Sequence, residues 1–266
     1  MSAFKPLPCT QLNLDHPLSR GLVGCWLMNE NSGNKTHDYS YQGNTGTLSG
    51  FNDPPIATSG WNAGPHGGAL AFDKVDDYID TGKQILSGSD DFTIICLLKS
   101  NGIQNTYSIP ISQGHASFNG IAFQHGYPSA TNMNLILGNG TGWPGPYFGY
   151  NANTDFTWKH LVATKKGTTF TTYKDGIYME SASRVLIYGA FNFTIGQDTI
   201  NAGRFWNGLI SSVSIYNRAL SAEEIAYLYA FPYCMFEQEI FPAWLKRREG
   251  WSNKHKEMLL FPYGEI

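Results

Sequence analysis

The sequence predicts an all-β protein: a two-sheet antiparallel sandwich with one short C-terminal helix and an irregular, aromatic-rich C-terminal arm. Three observations lead there. Charged residues are only 15% of the chain, too few for solvated helices, while Gly, Asn, Ser, Thr and Tyr are plentiful, as short strands and tight turns require. Short apolar runs recur between turn-forming residues along most of the 266 positions. Hydrophobic residues make up 42%, enough to fill one large core.

Residues 1–20 are polar and contain proline, and read as an irregular N-terminal arm. Residues 22–27 are an apolar strand that ends at the turn formers of 29–33, and 45–48 are another short strand. Strands at 68–72 and 77–80 flank an acidic turn holding Asp73, Asp76, Asp77 and Asp80, for which turn chemistry and solvation are the expected roles. The run 91–98 is apolar nearly throughout, as a strand buried on both faces would be. Candidate strands at 107–112, 120–124 and 133–137 lie among Gly-, Asn- and Pro-rich loops.

A meander follows. Strand 158–165 turns at Lys166-Gly167, returns over 168–174, and turns again at Asp175-Gly176, a dipeptide suited to the positive φ of a tight hairpin. Late strands are expected at 191–196 and 208–216. Ser221-Ala222-Glu223-Glu224 has the form of a capping box, with Ile225, Leu228 and Tyr229 behind it at helical spacing, which predicts a helix over 221–229.

Residues 230–266 differ in kind. Phe231-Pro232-Tyr233, Phe241-Pro242 and Phe261-Pro262-Tyr263 repeat an aromatic-proline pattern, and Trp244 and Trp251 add aromatic surface. Proline blocks helix and central strand there, yet the rings need burial, on this domain or on a partner. The division is then an arm at 1–20, a sandwich at 21–229 and a docking arm at 230–266.

Several functions are disfavoured. The formal net charge is −3 and the basic residues form no stripe, so nucleic acid is not an expected partner. No membrane span is visible, and the first residues lack the charged and apolar regions of a secretory signal. Cys9, Cys25, Cys96 and Cys234 form no C-x-x-C pair; Cys25 and Cys96 sit in apolar runs as core residues, and a Cys9–Cys234 pairing stays open. The Gly140–Gly145 pattern matches a dinucleotide motif in spacing, but Pro144 and Pro146 forbid the helix that motif needs. Trp143, Tyr147 and Tyr150 on that loop could instead stack on sugar rings or a partner.

Segments 67–79, 158–176 and 208–221, with Gly24-Cys25-Trp26 and Asn29-Glu30 as an opening strand, resemble the laminin-G-like domains of the concanavalin A-like lectin/glucanase superfamily. The resemblance covers about residues 22–229. It implies a concanavalin-like jelly roll and a carbohydrate- or protein-binding role. It also implies a structural calcium near the loop after the opening strand, held here by Asp38 and Asn44, although Ser211-Ser212 stands where many relatives carry acids. The related glucanases use a Glu-x-Asp-x-Glu strand, which this sequence lacks, so no enzyme activity is expected.

The arm resembles that of structural proteins of tailed bacteriophages. The leading expectation is a virion component, a capsid decoration or tail-fibre subunit made in the host cytoplasm. Its partners would be other virion proteins or further copies of itself. The alternative is a lectin-like adhesin that acts at the extracellular surface and binds surface glycans.

Overall fold

A computed structural model describes residues 4–8, 10–87, 90–115, 119–126, 131–139, 143–198 and 203–236. Two antiparallel eight-stranded sheets pack as a jelly-roll sandwich. The first sheet runs, edge to edge, through β14 (Ile177–Ser183), β13 (Thr169–Lys174), β12 (Lys159–Lys166), β7 (Phe92–Ser100), β16 (Asn207–Tyr216), β5 (Gly67–Asp73) and β4 (Gly60–Gly64). Strand β1 (Leu22–Trp26) also pairs with β16, beyond the point where β5 leaves it. The second sheet runs through β11 (Trp143–Tyr147), β10 (Met133–Asn139), β9 (Asn119–His125), β8 (Ile111–His115), β15 (Phe193–Ile195), β6 (Tyr78–Asp80), β3 (Gly46–Ser49) and β2 (Lys35–Thr36).

Strand alternation sets what each face buries. Ile94, Cys96 and Leu98 of β7 point into the main core, where they meet Ile121 and Phe123 of β9 and Leu135 of β10. Ile95, between them, points the other way into a second cluster with Val162, Tyr173 and Tyr216. The first sheet is therefore covered on both faces, as the run at 91–98 foretells. Its outer cover is built from both ends of the chain: Leu12 and Leu18 from one, Leu220, Ile225, Leu228, Tyr233, Met235 and Phe236 from the other. Burial of Cys25 and Cys96 in these two clusters pushes both thiols upward, Cys25 to about 12, as suits core residues.

The turns follow their chemistry. Asp175 and Gly176 both take positive φ, 52° and 78°, in the β13–β14 hairpin. Helix α1 (Ala222–Ala230) begins as the capping box requires, with Ser221 Oγ accepting from Glu224 N–H and the Glu224 carboxylate accepting from Ser221 N–H. Arg218 grips the same carboxylate with two guanidinium nitrogens at 2.8 Å each.

The irregular segment at residues 10–20 packs on the sandwich: Leu12 and Leu18 are buried, Leu12 bridges to Phe236, and Asn13 N–H donates to Met235 O at 2.8 Å. Tyr233, expected on a docking arm, is buried on its own sandwich with its ring edge-on to His66. Phe231 is the helix C-cap and stays exposed. Phe241, Trp244, Trp251, Phe261, Tyr263 and Cys9 lie outside the described residues. Among the described residues, no helix is long and apolar enough to cross a membrane.

Candidate functional site

A groove of about 390 Å³ opens at the β4 edge of the first sheet. Its walls are the loops at 31–34 and 50–55, and its apolar surface comes from Leu48, Phe51 and Trp61. Trp61 projects from β4 and is only partly buried. Its Nε1 donates to Gly33 O at 2.9 Å, which locks the indole to the opposite wall. Phe51 is held from beneath by an edge contact to the core ring of Phe72, 5.1 Å between centroids. Around these rings stand the exposed polar side chains of Asn31, Ser32, Asn34, Asn52 and Asp53.

The loop behind the groove is fixed by a small polar relay. Asn52 N–H donates to Ser59 Oγ at 2.9 Å, and Ser59 Oγ donates to Asp77 Oδ1 at 3.0 Å. Asp77 Oδ2 accepts from Asp73 N–H at 2.9 Å. Asp77 is fully buried, and that burial raises its carboxyl to about 7 against the pull of these two hydrogen bonds. Its turn role is as expected, but its solvation is not: it is an interior brace. Gly60 closes the loop with φ near +101°, where a Cβ would stand 2.7 Å from Pro55 Cβ and 2.9 Å from Asn52 O. Only glycine serves there.

Aromatic surface beside a rim of amides, a hydroxyl and one carboxylate can stack on a ring's C–H face and exchange hydrogen bonds with hydroxyls. The sequence reading missed this site. Trp61 lies on strand β4, Asn31 and Asn34 on one loop and Asn52 on another, and no local spacing joins the three segments.

Of the stacking residues expected around 143–150, one is a surface residue and one is not. Trp143 and Tyr147 begin and end a strand, β11, rather than sitting on a loop, and the Trp143 side chain lies outside the described atoms. Tyr147 is 40% exposed, whereas Tyr150 is 1% exposed, with its hydroxyl donating to Asp155 O at 3.1 Å. Tyr150 is a core residue and presents no face to a ligand.

Asp38 and Asn44 do adjoin each other, but the donors around them do not fit calcium. Asp38 Oδ1 accepts from the N–H groups of Cys25 and Ser40, and Oδ2 from Asn44 N–H, each at 2.9 Å. The Asn44 amide donates to Val23 O at 2.7 Å, and Asn44 O accepts from Trp26 Nε1 at 2.8 Å. Three N–H dipoles converge on Asp38, an environment shaped for an anion that the carboxylate itself fills; a cation needs converging oxygens. The pair organises the loop after β1. Among the described residues the only trio of metal-capable side chains is Asp73, Asp76 and Asp77, of which Asp73 Oδ1 accepts from Val75 N–H at 2.8 Å and Asp77 Oδ2 from Asp73 N–H at 2.9 Å.

The groove thus lies at the rim of an antiparallel jelly roll and is lined by aromatic rings. The chain belongs to the concanavalin A-like lectin/glucanases superfamily, whose family model matches residues 73–226, more than half of its length. Among curated proteins none matches the sequence. Solved structures share the fold. Domain 4 of AbnA, a GH43 extracellular arabinanase from Geobacillus stearothermophilus, in complex with arabinotriose, is 18% identical with a TM-score of 0.61, over 78% of this chain and 98% of that one. The Trypanosoma rangeli sialidase in complex with sialic acid is 15% identical with a TM-score of 0.58, and the match spans 82% of this chain but 34% of the sialidase. The binding domain of Paraclostridial Mosquitocidal Protein 1 is 13% identical with a TM-score of 0.57, over 80% of this chain and 52% of that one.

Proposed function

We propose that this chain is a non-catalytic carbohydrate-binding module that holds a glycan in the Trp61 groove. The observation that carries the reading is Trp61 itself, part-exposed on an edge strand, pinned by Gly33 O and ringed by Asn31, Asn34, Asn52 and Asp53. Binding and not hydrolysis is favoured because Asp53 is the one carboxylate in the groove lining, whereas glycoside cleavage uses two. The complex of the arabinanase domain with arabinotriose supports a sugar as the class of ligand.

The test is a glycan array on the full chain, followed by calorimetry with the best hit and with arabinotriose. Trp61→Ala is expected to weaken binding at least tenfold, about 1.4 kcal/mol, with an unchanged far-ultraviolet spectrum. A folded Trp61→Ala that binds as tightly as the wild type, or a full chain that binds no glycan, would sink the proposal.

A second reading, attachment as a virion structural component, is favoured by the exposed aromatics where helix α1 leads into residues 237–266: Tyr227, Tyr229 and Phe231 are 37%, 50% and 39% exposed. Removal of residues 237–266, leaving the buried Tyr233, Met235 and Phe236 in place, is expected under this reading to abolish assembly while glycan binding persists. Light scattering that finds the same monomer with and without those residues would dismiss it.

A further inference from the structure

The Trp61 groove carries charge of one sign. Asp53 is the only charged side chain in its lining; it is exposed, and among the described residues its carboxylate forms no ion pair. More acid lies behind it. Gly50 of the lining packs so tightly on the acidic turn that a Cβ there would stand 2.3 Å from Asp76 O, and the Asp76 side chain is exposed. The lysines of the neighbouring segments do not offset this. Lys35 follows Asn34 but pairs with Thr47, and strand alternation turns both to the face opposite Leu48, the lining residue. Lys74 Nζ donates to Ile103 O at 3.0 Å, and Lys5 Nζ donates to the main-chain carbonyls of Gly68 and Ser211.

The aromatic walls act in the same direction as the carboxylate. The faces of Trp61 and Phe51 carry negative potential, which attracts a cation and repels an anion. An ammonium that reaches Asp53 also gains a charge-assisted hydrogen bond, about twice as strong as a neutral one. The amides of Asn31, Asn34 and Asn52 and the hydroxyl of Ser32 can serve sugar hydroxyls whatever charge the sugar bears. A sugar carboxylate would meet Asp53 and the ring faces with no Lys or Arg in the lining to receive it.

Granted the glycan groove proposed above, we infer that its ligand is an amino sugar, stacked by its ring on Trp61 and held by its protonated amine on Asp53, and that acidic sugars are excluded. Asp53 is then the specificity-determining residue: Trp61 and the asparagines accept a pyranose or furanose as such, and the carboxylate sorts the candidates by charge. Because Asp53 is exposed, its preference is modest in size and weakens with salt.

The test uses β-1,4-linked tetraoses of glucosamine, glucose and glucuronic acid, which share one backbone and differ in charge. Calorimetry on the full chain is run near pH 6 in low salt, where the sugar amine is protonated. The glucosamine tetraose should bind about threefold more tightly than the glucose tetraose, and the glucuronic acid tetraose most weakly. The preference should shrink in about 0.5 M sodium chloride and vanish near pH 9, where the amine is neutral. Asp53→Asn should bring the amine and neutral tetraoses within about twofold of each other. Asp53→Lys should place the acid above the amine. A wild type that binds all three equally, a preference unchanged in Asp53→Asn, or a glucosamine tetraose that does not bind would each overturn the inference. Trp61→Ala separates the two failures. Tetraoses that need Trp61 but are not sorted by charge overturn the amino sugar and leave the groove standing, whereas binding indifferent to Trp61 overturns both.

Discussion

The indole of Trp26 lies parallel to the ring of Phe193, with centroids 5.7 Å apart and planes 6° from each other. Trp26 closes β1 in the first sheet and Phe193 opens β15 in the second, so this stack joins the sheets across the core. Both side chains are fully buried, and the indole N–H is satisfied by Asn44 O at 2.8 Å. Trp26→Ala leaves a large cavity and orphans that carbonyl, so a loss of about 3–5 kcal/mol is expected. Urea unfolding of wild type and variant measures it. A loss below about 1 kcal/mol would mean that the sheets are not held together here.

Gly60 makes a sharper test of the groove than any side chain lining it. Gly60→Ala meets both a strained backbone, at φ near +101°, and a steric block from Pro55 and Asn52. Gly33, on the opposite wall, has φ near +79° but nothing within 4 Å of a Cβ. Gly33→Ala should cost about 1 kcal/mol, from the backbone alone, and leave the groove's shape intact. Gly60→Ala should cost more and weaken glycan binding severalfold. Equal losses in urea unfolding and in glycan titration would show that the 50–55 loop yields freely.

His160 predicts an acid sensitivity. It is 6% exposed, with an unpartnered Nδ1 and its ring 5.7 Å from that of Tyr229 on helix α1. Burial lowers its pKa to about 4. Because the folded value lies below the unfolded value near 6.5, the unfolded chain binds more protons between the two. The stability due to neutral His160 is present above pH 6.5 and is lost as the pH falls toward 4, with a ceiling of about 3 kcal/mol. Asp77 runs the other way: its raised carboxyl favours the fold most below the unfolded value near 3.8 and loses that contribution as the pH rises through about 7. Comparing wild type with His160→Gln isolates the histidine. Urea unfolding at pH 7 and pH 4.5 should show a smaller acid loss in His160→Gln, and parallel losses would rule the histidine out.

Much of the frame was legible because its signals are local. The apolar run at 91–98, the Asp175-Gly176 turn and the Ser221–Glu224 capping box each need only their own neighbours to act, and each has its counterpart in the fold, the run as strand Phe92–Ser100. The boundaries of β8 were not legible: the predicted 107–112 strand overlaps Ile111–His115 by two residues, since Tyr107 belongs to a turn with Thr106. Strands β4 and β11 were missed outright. Gly-Trp-Asn-Ala-Gly has no apolar alternation, and Trp143–Tyr147 contains two prolines. Both are sheet edges, where a neighbour's open hydrogen-bonding groups recruit a sequence with little preference of its own, and where proline is tolerated.

The sequence by itself determined an antiparallel sandwich, its helix, its core cysteines and the family likeness, all through patterns short enough to be read along the chain. Only the tertiary structure decided which aromatics are surfaces and which are core. Tyr147 and Tyr150 are three residues apart, yet one faces solvent and the other lies under the second sheet's core. Tertiary structure alone also set Trp61 against Gly33 and Lys5 against Ser211, pairs 28 and 206 residues apart. The reason is physical: exposure and long-range hydrogen bonds are properties of how sheets are stacked and which strand leaves a gap beside which. Residue type constrains those outcomes only after the whole core has closed.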